Sequence, residues 1–147
     1  MVKLGRTKHE DRERSAKYQS IGRALHTTAR DLALIGEAKY GNGLAIVAIH
    51  SAIAYADALT VAYREVKSTD GEHAQAANVL VYALGHHSDA DQIRRLRRVL
   101  EAKSHASYSG NYYTLEDGLA LLEELDRFAE WAEERLTERR LAQGDRR

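Results

Sequence analysis

Cysteine and proline are both missing from this sequence. Without a thiol there is no disulfide, no thiolate nucleophile and no thiolate metal ligand, which agrees with a reducing compartment. Without proline, no residue forbids a helix anywhere along the chain, and plentiful alanine, the best helix former, pushes the same way. An excess of charge of one sign is missing too. Lysine and arginine number 22, aspartate and glutamate 22, so no global field draws the protein to nucleic acid and any such binding has to be local. The opening stretch MVKLGRTKHEDRER lacks the apolar middle of a signal peptide, and no unbroken apolar run approaches spanning length. The expectation is a cytoplasmic protein with no membrane partner.

What is present is 147 residues, 44% hydrophobic and 30% charged, the balance of a globular chain with one core. The organisation expected is a flexible N-terminal arm over residues 1–11, a single helical bundle over 12–140 and a flexible tail over 141–147. A first helix is expected from Arg12 to Lys39, with Tyr18, Ile21, Leu25, Thr28, Leu32 and Ile35 on its inward face, stopped by the glycines of YGNG at Tyr40–Gly43. A second runs from Leu44 to Lys67, and its many alanines let neighbours approach closely, which makes it the central helix. A capping box of Thr69 and Glu72, with Asp70 competing, opens a third helix that Gly85 ends. Ser88 with Asp91 opens a fourth, striped by Ile93, Leu96, Leu100 and Lys103. Thr114 with Asp117 opens a long last helix to about Arg140. Strand signals are absent. The fold class is all-α, a four- to five-helix up-down bundle.

Few polar groups stand out against this background. His50 and Asp57 share a face of the second helix, where a polar core contact or an interface hydrogen bond explains them better than a site. His86, His87, Asp89 and Asp91 gather nitrogen and oxygen donors at a helix start, but first-turn electrostatics accounts for the aspartates and the spacing gives no helical ligand pair. No metal or cofactor is expected. Arg94, Arg95, Arg97 and Arg98 form the one dense basic run, able to grip phosphate or to serve as a solvated face. Just beyond them, KSHASYSGNYYT places a lysine, a histidine and several tyrosines at the helix end.

AIHSAIAYADALTVAYREVKSTDGEHAQAANVL, followed by LRRVLEAKSHASYSGNYYTLEDGLALLEELDRFAEWAEERL, resembles the HEPN domain, a helical bundle associated with nucleotides and RNA. The resemblance spans about Ser20 to Leu136 and rests on the order of features more than on one motif. It implies, in catalytic members, an arginine and a histidine separated by four to six intervening residues that form a metal-independent ribonuclease site, usually paired across a homodimer. Histidine titrates near neutrality and arginine stays charged, as attack of a ribose hydroxyl on phosphate requires. In the register that fits best, Lys103 stands for the arginine and Tyr108 for the histidine, a poor base with its pKa near about 10. The other register pairs Arg98 with His105 as catalytic residues.

Three readings stay open. A module could bind RNA or a nucleotide through Arg94, Lys103, Ser104, Tyr108 and Tyr112, or hold a protein partner such as a nucleotidyltransferase. A toxin-type ribonuclease would use Arg98 and His105. In a purely structural dimer the tyrosines would plug the bundle end, ring inside and hydroxyl outside.

Overall fold

The computed structural model describes residues 4–69, 75–107 and 112–144, with the backbone alone over 104–107. Five helices pack into an all-α bundle: α1 (Ser15–Ile35), α2 (Gly41–Arg64), α3 (Ala76–Leu84), α4 (Ala90–Ser107) and α5 (Leu115–Ala142). α2 is the axis. It touches each of the other four helices, and Ala45, Ala48, Ala52, Ala58 and Leu59 are fully buried along it. Alanine on nearly every side is what allows one helix to be surrounded. The segment Ala38–Arg64 is long and apolar enough by composition to cross a membrane, contrary to the first impression of the sequence, but 83% of its apolar window is buried inside the bundle.

The stripe of α4 goes inward as expected, with Ile93, Leu96, Leu100 and Lys103 all buried. The stripe of α1 does so only in part, through Tyr18 and Leu32, which pack against the core. Its buried residues are Ser15, Gln19, Gly22, His26 and Ala29, while Ile21 is 49% and Ile35 54% exposed. A polar and small face turns inward because α5 presents carboxylates to it, described below.

Local endings also differ from expectation. α1 stops at Gly36, left-handed at φ 68°, whose N–H donates to the Leu32 carbonyl at 3.1 Å. The glycines of YGNG lie inside α2 instead. There Gly41 is required by crowding: a Cβ would fall well inside contact distance of the Tyr113 carbonyl oxygen and the Thr114 carbonyl carbon. At the start of α4 the cap is Asp89, not Ser88. Its carboxylate accepts from the N–H groups of Asp91 at 2.9 Å and Gln92 at 3.2 Å. Thr114 and Asp117 form the expected reciprocal box, both bonds at 3.1 Å. Of the proposed Thr69–Glu72 box, Asp70 and Glu72 lie outside the described residues.

The arm and the absence of strands need correction. Thr7–His9 (β1) pairs antiparallel with Val66–Ser68 (β2), Thr7 opposite Ser68 and His9 opposite Val66. Three-residue strands are too short to leave an alternating signature. Beside this ladder, Arg12 Nε and Arg139 Nε each donate to the Ala62 carbonyl at 3.4 Å, and Arg139 Nη2 to that of Tyr63 at 3.3 Å. Two cations thus cover the carbonyl end of α2, where the helix dipole favours them.

Candidate functional site

Every arginine of the basic run in α4 is engaged by an acceptor of the same chain. Arg94 pairs with Asp91 one turn back. Arg97 Nη2 donates to the Asn78 amide oxygen at 2.9 Å. Glu124 of α5 holds the other two, with Oε1 2.7 Å from Arg95 Nη1 and Oε2 2.5 Å from Arg98 Nε. Helical spacing put the arginines together, but the carboxylate that divides them comes from 26 residues further on.

Arg98 opens onto a groove where the end of α4 meets the start of α5, shared with Tyr112, Tyr113, Ala120, Leu121 and the carboxylates of Asp117, Glu123 and Glu124. Tyr112 is 63% exposed, its hydroxyl donating to the Ala38 carbonyl at 3.2 Å. Tyr113 is anchored at both ends. Its N–H donates to Asn42 Oδ1 at 2.6 Å and its hydroxyl to the Ala102 carbonyl at 3.3 Å. Burial, helped by the Asp117 charge, raises its pKa. The tyrosine ring as a plug with a polar tip therefore describes Tyr113, whereas Tyr112 offers its face to solvent.

Lys103 is not in this groove. It is 5% exposed, and partial burial together with the Lys103 charge lowers the pKa of His50. Five residues along a helix turn a side chain well away from Arg98, so the two cations face different surroundings. Ser104 and His105 belong to the α4 backbone, but their side chains, and all of Tyr108, lie outside the described residues. α4 does continue through Ser107, which puts His105 two turns beyond Arg98, roughly 10 Å along the axis and on the same side.

His50 and Asp57 do not pair. Asp57 is 8% exposed, with Lys67 Nζ of β2 at 3.6 Å. Burial pushes its pKa up to about 6 against the pull of Lys67, and Glu10 adds to the rise. The exposed rings of His86 and His87 lie tilted with centroids 4.0 Å apart, and His87 lies 5.5 Å from the Tyr63 ring.

The richest polar cluster joins α1, α2 and α5, and the sequence reading missed it. Glu133 accepts from Arg23 through two bonds, Nε at 2.7 Å and Nη2 at 2.8 Å, from the Tyr55 hydroxyl at 2.8 Å, and from the Gln19 amide. Burial alone would raise its pKa, but the hydrogen bonds from Arg23, Tyr55 and Gln19 together hold it low. One helical turn away, His26 Nε2 lies 2.6 Å from Asp126 Oδ1, with Arg30 Nε at 3.6 Å. A shallow groove runs over both sets. The signal that could have found them is the spacing of Gln19, Arg23, His26 and Arg30 by four, three and four, one continuous side of α1. Chemically the cluster is a closed network, each carboxylate matched to donors, and it fastens three helices.

No protein-family model matches the chain, and comparison with curated proteins and with solved structures gives no match either.

Proposed function

We propose that this chain is a non-catalytic HEPN-like module that works as a homodimer, its copies meeting over the α4–α5 groove and presenting the joined surface to a protein partner. The observation that carries this is the composition of the groove: Arg98 beside Asp117, Glu123 and Glu124, on a floor of Ala120, Leu121 and Tyr113 with Tyr112 exposed. A patch that holds both signs of charge around an apolar centre is self-complementary about a twofold axis, because the cation of one copy meets an acid of the other. The resemblance to HEPN domains implies a site paired across a homodimer, and a nucleotidyltransferase is a candidate partner. RNA or a nucleotide is a poorer fit. A phosphate would have to displace Glu124 or Asp91 from the arginines and enter beside further carboxylates.

Sedimentation equilibrium tests the reading. Micromolar protein is expected as a dimer, and Ala120→Arg, at an exposed position, as a monomer; a wild-type monomer over the same range overturns the proposal.

One observation favours a second reading, a metal-independent ribonuclease: the unbroken helix that carries Arg98 and His105 on one side. Cleavage of RNA in the presence of chelator, abolished by His105→Ala, would establish it over the docking module. The separation along the axis and the clasp of Glu124 on Arg98 weigh against both groups acting on one phosphate.

A further inference from the structure

β1 ends on His9, Asp11 follows within two residues, and α2 delivers Glu65 to the same corner. Backbone contacts fix the arrangement. His9 sits opposite Val66 in the ladder, and the N–H of Glu10 donates to the Glu65 carbonyl at 3.1 Å. His9 Nε2 lies 3.0 Å from Asp11 Oδ1. A Glu65 carboxylate oxygen completes a set in which all the donor atoms lie within 4.8 Å of one another. Donors bonded at roughly 2.0–2.2 Å to a common ion stand about 3.0–3.5 Å apart when they are neighbours in its shell. The His9–Asp11 pair, joined by a hydrogen bond at 3.0 Å, falls in that range, and the third donor lies within 4.8 Å of both. Glu65 is also oriented from outside, since the N–H of Arg12 donates to its Oε2 at 3.0 Å, as the outer hydrogen bonds of metal-binding carboxylates do.

We infer that His9, Asp11 and Glu65 form a binding site for a divalent first-row transition ion. Zinc(II) suits one imidazole and two carboxylates with water completing the shell, whereas magnesium and calcium prefer an all-oxygen set. Bound there, the ion ties the first strand to the end of α2. The charge that opposes it is the Arg12 guanidinium, whose Nη2 is 3.8 Å from Glu65 Oε1. This gives the site a second handle: Arg12→Gln keeps the orienting N–H and removes the competing charge.

The test is calorimetric titration of zinc(II) into the untagged full chain, with magnesium(II) as comparison. Expected are one equivalent of zinc bound in preference to magnesium, a loss of affinity of at least about tenfold in His9→Ala and in Asp11→Asn, and tighter binding in Arg12→Gln. His9 and Asp11 are exposed, so these variants fold. The double variant His86→Ala/His87→Ala, which removes the other adjacent imidazoles, is expected to bind as the parent does. An intact chain without saturable zinc binding overturns the inference, as does binding that survives His9→Ala and vanishes in the double variant.

Discussion

The hydroxyl of Tyr55, from the most enclosed helix, donates to Oε2 of Glu133 on α5 at 2.8 Å. The ring lies flat against α1 at Gly22, where a Cβ would approach its Cδ2 to 2.9 Å. One phenol therefore links the three helices, its ring packed on the first and its hydroxyl spent on the last. Burial, reinforced by Glu133, raises its pKa, so it stays a donor at any ordinary pH.

Tyr55→Phe keeps the packing and removes that donor. Glu133 retains Arg23 and Gln19, so the cost expected is about 1–2 kcal/mol, that of one hydrogen bond to a charged acceptor partly reached by water. Urea denaturation measures it. A variant as stable as the parent would show the bond to be idle.

Gly41 and Gly118 set the approach of α2 and α5. At Gly118 a Cβ would come within 3.0 Å of the Gly41 carbonyl oxygen and of Leu44 Cδ2, and at Gly41 it would strike the backbone of residues 113 and 114. Gly41→Ala has to displace main chain, so a loss of about 2–3 kcal/mol is expected, more than from Gly118→Ala, where Leu44 can move. Thermal unfolding of the two variants side by side checks the order.

Asp57 gives a pH dependence of unusual sign. Its pKa is raised from 3.8 to about 6, so the native state holds the proton more tightly than the unfolded one. Its contribution favours folding at acid pH and is lost as pH rises through about 4 to 6. Glu10 and Glu133, both with lowered pKa, act in the opposite sense and lose their contribution as pH falls. The difference between parent and Asp57→Asn isolates the aspartate: the variant gains about 1–3 kcal/mol relative to the parent between pH 4 and pH 7. A constant difference across that range would contradict the assignment.

Glu124 holds Arg95 and Arg98 away from phosphate. In Glu124→Gln that hold is weakened, and single-stranded RNA is expected to bind more tightly than to the parent, with a steeper loss of affinity as salt rises. Fluorescence anisotropy over a salt series reads both. Equal slopes for the two proteins would mean that the arginines were never restrained.

What the sequence made legible was local. The alanines of α2, the stripe of α4 and the Thr114–Asp117 box each depend on neighbours within a turn or two, and each is found. What stayed hidden depends on partners far along the chain. Gln19 turns inward, and Arg23 reaches across from an exposed position, because Glu133, more than 100 residues on, receives them, and apolar periodicity pointed to a face about 100° further round α1. β1 exists only because β2 lies beside it. The arginine run read as a phosphate grip or a solvated face, and Glu124 of α5, far along the chain, is what holds Arg98 in space.

The absence of cysteine makes the central claim directly accessible, because Ala120→Cys carries the only thiol in the chain. Mild oxidation of that variant is expected to give a covalent dimer in high yield, whereas Lys17→Cys, on an exposed side of α1, stays monomeric. Equal, low yields from both positions would contradict a twofold contact over the α4–α5 groove.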